Sequence, residues 1–308
     1  MKSRNSRQSL IVVDRFYPHA KKLRAHFEDR FADPRSNDSG RFVWDYWHVP
    51  GQYTVLRTPA YHYFPRNLYR PLHEALAQWG RRNLGCHDIS PPWMSCYVDG
   101  CRQEIHSDLP HGPFAFVLSL TPWEARRFIG GETMILREEM LNFWSNLDHY
   151  AGSGLEENEV FQTVPSLFNR LVVFDPRVPH LVRRVEGAAD PRDGRLVIHG
   201  WFMQPRPYIE GPLGRSELQK AIPGIVQGLS AAIGEANTLR GIASFRFKVT
   251  PAGRVNACKL VASTLIATDG DKELVSKALA SVPRSIKALR FRARSRASDV
   301  TLPLIFDR

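Results

Sequence analysis

Cys96-Tyr97-Val98-Asp99-Gly100-Cys101-Arg102-Gln103-Glu104-Ile105-His106-Ser107-Asp108 is the stretch that decides how this chain is read, taken together with Val172-Val173-Phe174-Asp175-Pro176-Arg177-Val178-Pro179-His180. In a β-strand, side chains at i and i+2 point to the same face, so His106-x-Asp108 sets an imidazole beside a carboxylate within reach of one small cation. A third ligand is then needed. His180 is the candidate, because it follows the strand-like apolar run Leu171 to Phe174 and a proline-bounded turn that brings the chain back across a barrel. Further on, Leu196-Val197-Ile198-His199-Gly200-Trp201-Phe202, preceded by Arg195, reads as a buried strand entered by a cation. The period of two puts Arg195, Val197, His199 and Trp201 on one face. A guanidinium pointing into an otherwise apolar pocket must be paired, and the bidentate grip on a carboxylate is the pairing for which arginine is suited. The natural guest is a dicarboxylic co-substrate.

A lone His-x-Asp is weak evidence, since such tripeptides also occur on solvated turns; the flanking text gives it weight. Two histidines and one carboxylate on one face of a metal leave the opposite coordination positions open, as in non-haem Fe(II) oxygenases. His106-x-Asp108, Gly130-Gly131-Glu132, His180, and Arg195 with Trp201 six residues later resemble the 2-oxoglutarate and Fe(II)-dependent dioxygenases, in particular the prolyl-hydroxylase-like branch. The similarity covers roughly residues 90 to 204, with an echo in Leu10-Ile11-Val12-Val13-Asp14-Arg15-Phe16. The resemblance implies a mainly β fold with flanking helices, a double-stranded β-helix (jelly-roll) barrel. It implies Fe(II) held by His106, Asp108 and His180, and the distal carboxylate of 2-oxoglutarate held by Arg195. Tyr97 matches a tyrosine lining the co-substrate pocket, and Trp201 is placed beside it. O2 is the second co-substrate, and ascorbate is expected in a supporting role. The implied outcome is hydroxylation of an unactivated C–H bond, with succinate and CO2 as co-products. Two departures stand out: Ser119 occupies the place of a second pocket tyrosine, and the Gly187 to Gly194 insertion lengthens the turn between His180 and Arg195.

The chain has 308 residues, 43% of them hydrophobic, which suits two domains with ordinary cores. No apolar run approaches the roughly 18 to 20 residues that span a bilayer. The start, Met1 to Gln8, lacks the apolar segment of a secretory signal, so the expectation is no export, no membrane and a cytoplasmic location. Cys86, Cys96, Cys101 and Cys258 read as reduced thiols rather than a disulfide framework. The net charge of +11 raises nucleic-acid binding, but the excess clusters in Arg284 to Arg296, a pattern typical of a solvated face. Arg183 and Arg184, beside the candidate iron site, are placed to attract an acidic substrate.

Along the chain, Leu10 to Val13 reads as a strand and the residues from about Pro18 as a helix with Leu23, His26, Phe27 and Phe31 at helical spacing. For the aromatic run Phe42 to Tyr69 two readings compete, packing against the barrel and a substrate-binding wall. Leu72 to Leu84 is expected as a helix, Trp93 to Val98 and Glu104 to Asp108 as strands, and Glu139 to Tyr150 as helix or lid. His111 reads as a rim residue and His199 as either a substrate-side or a satisfied core histidine; His62 and His149 carry no supporting context. The expected domains are an oxygenase domain over 1–210, a connecting helix over 211–239 and a small α+β unit over 240–308. That unit reads ββαββ, with Ile286 to Phe291 and Val300 to Phe306 as closing strands, and resembles in fold the C-terminal domain of TonB-like transducers. The substrate is expected to be a peptide or protein side chain, with a free amino acid or small metabolite as the alternative; a non-catalytic metal-binding jelly roll has no use for Arg195. A second copy of the chain, as a homodimer, is a further expected partner.

Overall fold

Strands rich in Val, Ile and Phe, bounded by glycine and proline turns, build most of the residues around the candidate ligands. The computed structural model describes residues 9–32, 44–108, 111–141, 154–234 and 238–306. The expected loop at Arg35 to Gly40 and nearly all of the Glu139 to Tyr150 segment, His149 included, lie outside these.

Two compact units emerge. One comprises residues 12–75 and 90–201. Its strands run, in hydrogen-bonded order, Leu171–Phe174, Phe114–Ser119, Arg195–Pro205 (up to Trp201), Trp93–Tyr97, Tyr53–Pro59, Arg102–His106, His180–Val182, Thr133–Leu136 and Phe161–Val164, with Asp45–Val49 on Tyr53–Pro59. Apart from that of Phe114–Ser119 with Arg195–Pro205, these pairings are antiparallel. Tyr53–Pro59 changes partner midway: Leu56 to Pro59 pair with Trp93–Tyr97, while Tyr53 and Thr54 pair with Arg102–His106. One strand thus turns the corner between two halves of a strongly curled sheet, and the result is the jelly roll with flanking helices.

Alternation fills the interior. Val55, Tyr97, Cys101, Val182 and Val197, from five separate segments, form one buried cluster with Trp123, Phe128, Val185 and Ala188. Gly130 and Gly131 reverse the chain ahead of Thr133–Leu136 with φ of +77° and +78°, and a Cβ on Gly130 would lie 1.8 Å from the carbonyl oxygen of Arg184. An L-residue pays roughly 1–2 kcal/mol for this conformation before the clash is counted. Gly130→Ala is therefore expected to destabilise the protein by more than about 2 kcal/mol, read as a lowered midpoint in urea; an unchanged midpoint would show that the turn can relax.

The aromatic run divides between its two readings. Trp44, Tyr63 and Phe64 pack with His26 and Phe27 of the helix Ala20–Ala32. Trp47 instead meets Tyr53 and Trp93, on the side of the interior cavity.

The other unit comprises residues 1–11, 76–89 and 202–308. Its sheet runs Tyr208–Glu210, Ser298–Phe306, Leu239–Val249, Val255–Ser263, with Ile266–Ala267 on Leu239–Val249. The helix Arg215–Ile233 sends Leu218 and Ile225 into the same core as Phe245, Phe247, Val282 and Ile286. The expected strand Ile286 to Phe291 is not present: the helix Lys272–Ala288 runs through Pro283, and only Arg290 makes an isolated bridge, to Arg254. Val275, Ala278, Val282 and Ile286 keep helical spacing and are all buried, so the apolar stripe continues past the proline. Leu72–Leu84 likewise starts earlier than expected, at Arg66, with Pro71 inside the helix.

Candidate metal and co-substrate site

The strands Arg102–His106 and His180–Val182 are antiparallel neighbours, and their register sets His106 directly opposite His180. Side chains of such a pair lie on one face. The two imidazole centroids stand 4.3 Å apart. Asp108 lies two residues past the strand end rather than inside it, held in line by its N–H donating to the carbonyl of Pro176 at 2.8 Å. Its carboxylate faces both rings, with Oδ1 3.6 Å from His106 Nε2 and Oδ2 3.6 Å from His180 Nε2. The three donor atoms all lie within 4.8 Å of one another.

The tautomers follow from the partners. His106 Nδ1 lies 2.7 Å from the carbonyl of Glu104 and His180 Nδ1 lies 2.9 Å from that of Val178. A carbonyl oxygen only accepts, so each Nδ1 carries the proton and each Nε2 presents a lone pair toward Asp108. The Gln103 amide, 3.1 Å from His106 Nε2, also suits an unprotonated nitrogen. Burial, then the neighbouring His180, holds His106 below its usual pKa, which keeps it in the neutral ligating form. Burial raises the Asp108 carboxyl, but His180 and His106 more than offset it, and the group ends below the usual carboxylate range. Two neutral imidazole nitrogens and one ionised carboxylate fit a divalent ion of the Fe(II) type.

Arg195 enters the same cavity from the strand Arg195–Pro205, 1% exposed. Nη2 donates to Thr133 Oγ1 at 3.0 Å, and the guanidinium lies 4.7 Å from the centroid of the Tyr97 ring. Nε and Nη1 are buried without a hydrogen-bond partner in the protein. Burial lowers the pKa of Arg195, with Tyr97 and Glu132 opposing it. A buried cation with two unanswered donors is costly unless an anion answers it, and a carboxylate is the anion that arginine pairs with most strongly. Burial raises the Tyr97 hydroxyl above its usual pKa, against the pull of Arg195, and the hydroxyl donates to Gln103 Oε1 at 3.3 Å.

All four residues of the expected strand face, Arg195, Val197, His199 and Trp201, line one cavity of about 530 Å3 with His106, Asp108, His180 and Tyr97. His199 Nε2 lies 2.8 Å from Ser95 Oγ, and burial pushes its pKa down to about 4, so it is neutral near pH 7. His111 lines the cavity too, tilted against Trp201 with centroids 4.5 Å apart. Ser119 turns elsewhere, donating to the carbonyl of Ser166 and accepting from Ser166 Oγ, while Val117 of the same strand lines the cavity. The insertion at Gly187 to Gly194 contains the short turn Pro191–Asp193 before the strand resumes at Arg195. Cys96 and Cys101 are separate buried thiols. Thr133, Gln103, Trp93 and Arg57 were not singled out in the sequence; alternation of Tyr53, Val55 and Arg57 is the signal that points Arg57 inward.

Residues 92–203 match the family model described as the 2OG-Fe(II) oxygenase superfamily. Among solved structures, the chain is similar to a prolyl-4-hydroxylase from Pseudomonas putida (17% identity, 64% of this chain and 93% of that one, TM-score 0.43). It is similar also to a prolyl hydroxylase from Trichoplax adhaerens in complex with a hypoxia inducible factor oxygen degradation domain peptide fragment (12% identity, 64% and 84%, TM-score 0.41). A third is HygX from Streptomyces hygroscopicus with nickel and 2-oxoglutarate bound (12% identity, 63% and 82%, TM-score 0.40). No curated protein matches the chain. Residues 92–203 thus carry a 2OG-Fe(II) oxygenase domain, the domain of dioxygenases that take Fe(II), 2-oxoglutarate and O2.

Proposed function

We propose that this oxygenase hydroxylates an unactivated C–H bond in a peptide or protein side chain, with Fe(II) held by His106, Asp108 and His180. The observation that carries the reading is the shared cavity. Two lone-pair nitrogens, a carboxylate and an unanswered buried guanidinium converge on it from three separate segments of the chain. Bound there, Fe(II) with 2-oxoglutarate and O2 supplies the oxidising chemistry, and 2-oxoglutarate leaves as succinate and CO2.

The protein contributes orientation and exclusion of water. Arg195 grips the distal carboxylate of 2-oxoglutarate, steadied by Thr133 Oγ1 and the Tyr97 ring. Trp201, against His111, forms the neighbouring wall. Neutral His199 adds no charge beside Asp108, and its contact with Ser95 holds the ring in place. Asp108 favours hydroxylation, because its carboxylate fills a position that related halogenases leave to chloride. All of these residues lie before residue 202; the 240–308 segment is assigned no part in the chemistry, and a role in recruiting substrate through a strand edge suits it.

The test is succinate release from 2-oxoglutarate, screened over panels of peptides and of free amino acids and small metabolites, with the mass of each candidate followed. A peptide gaining one oxygen in step with succinate is the expected result. Coupled turnover only of free metabolites would move the substrate assignment to the small-molecule class.

A further inference from the structure

Most cations on or near the iron-site strands are already answered, Arg102 by Glu104 on its own strand among them. Arg177 pairs with Asp175 at 2.8 Å. Arg183 pairs with Glu157, with Glu132 at 3.9 Å, and Arg184 lies 3.8 Å from Glu186. These two were expected to draw an acidic substrate, and their carboxylate partners leave them poorly suited to it. Arg195 is committed to the co-substrate in the reading above. Arg57 remains.

Arg57 lies on the strand Tyr53–Pro59, and its side chain lines the cavity that holds His106, Asp108 and His180. Its guanidinium carbon sits 3.0 Å from the centroid of the Trp47 ring and 4.3 Å from that of Trp93, two rings inclined 62° to one another, so the group lies over both indoles. Stacking of this kind leaves the in-plane N–H donors available for a ligand. Nε is buried without a hydrogen-bond partner. Asp45 is its cross-strand neighbour and attracts it at range, yet no carboxylate among the described residues comes within ion-pair distance of it. Burial lowers its pKa, and Tyr53, Asp45 and Tyr97 oppose this, so the cation persists at neutral pH while only half-buried.

The balance of charge in the cavity points the same way. Among the described residues Asp108 is its one carboxylate, facing Arg57, Arg195 and four histidines. With Asp108 turned to the ion and Arg195 to 2-oxoglutarate, Arg57 is the lining cation left without a counter-charge. Trp47 and Trp93 fix a planar donor group at low entropy, which suits recognition of an oxyanion by paired hydrogen bonds.

We infer that Arg57, clamped by Trp47 and Trp93, is a substrate subsite for an oxyanion group, a carboxylate or a phosphate, carried on the molecule whose C–H bond is oxidised. This rests on the functional reading above and narrows its substrate class to acidic molecules. The subsite shares the cavity with the ligand triad, so the oxidised carbon and the anion belong to one substrate molecule.

The experiment uses the full chain loaded with Fe(II) and 2-oxoglutarate under anaerobic conditions, with tryptophan fluorescence reporting on Trp47 and Trp93. The probes are 4-acetamidobutanoate, its uncharged counterpart 4-acetamidobutanamide, and 3-acetamidopropyl phosphate. The acids are expected to perturb the emission saturably and to bind at least tenfold more tightly than the amide. The stronger of the two acid probes identifies whether carboxylate or phosphate is preferred. Arg57→Gln should collapse the preference to within about twofold, and Arg57→Lys, which keeps the charge but loses the planar stack, should restore part of it. Equal binding of acid and amide by the wild type overturns the inference whatever the variants do. So does an acid preference that survives Arg57→Gln, or one that 2-oxoglutarate competes away, which would assign Arg57 to the co-substrate. Binding is read without turnover, so failure of the oxygenase reading registers separately, as an acid preference with no succinate released on admission of O2.

Discussion

His106→Ala and His180→Ala are each expected to abolish measurable turnover and to lower Fe(II) retention, measured by metal content after anaerobic equilibrium dialysis. The reason is geometric. The two rings are a direct cross-strand pair and both face the Asp108 carboxylate, so removing either leaves a two-donor site that cannot hold the ion facially. Each Nδ1 is fixed by a backbone carbonyl, which means that the lone pairs are aimed before any ion arrives. The fold should survive, because the rings line a cavity and make no long-range network; circular dichroism should be unchanged and thermal midpoints should move by only a few degrees. Wild-type turnover in either variant would end the assignment of His106, Asp108 and His180 as ligands.

Arg195 gives the second large effect, and it separates binding from stability. Loss of a charge-assisted hydrogen-bonded pair costs roughly 1.5–3 kcal/mol. Arg195→Met is therefore expected to raise the 2-oxoglutarate concentration needed for half-maximal decarboxylation by about ten- to a hundredfold or more. The protein without 2-oxoglutarate should be as stable as the wild type or more so, since a buried cation with two unanswered donors is replaced by an apolar chain of similar length. The wild type at 100 times its dissociation constant gains about 2.7 kcal/mol from the ligand, and the variant should lose this gain at the same concentration. A variant with unchanged 2-oxoglutarate affinity would hand the carboxylate grip to another residue. A variant that is strongly destabilised without ligand would show that Arg195 acts as a structural cation through Thr133 and Tyr97.

Much of this site was legible before any fold was known. A period of two along Arg195 to Trp201 placed four residues on one face, and all four line the cavity, because strand alternation is a local property of the backbone. His106-x-Asp108 was legible as a motif, although Asp108 keeps its position through a bond to Pro176 rather than through strand geometry. The curled antiparallel sheet also followed from residues and resemblance together. Less was legible where a local signal competed with burial. The helix expected from Leu72 begins at Arg66, and part of the strand expected from Ile286 is the end of a helix; both helices run through a proline, Pro71 and Pro283, since the buried stripe on each outweighs one lost N–H bond.

Sequence by itself determined the alternation of the strands, the donor types and the need of a buried arginine for an anion, because these depend on side-chain chemistry and on neighbours within a few residues. Tertiary structure decided which side chains meet. The register between Arg102–His106 and His180–Val182 sets the two imidazoles opposite one another across 73 intervening residues. The partner change of Tyr53–Pro59 carries Arg57 between Trp47 and Trp93, and closure of the curled sheet brings Thr133 to Arg195. Such contacts are fixed by hydrogen-bond register and by sheet closure, which are properties of the assembled strands, so no window of sequence contains them.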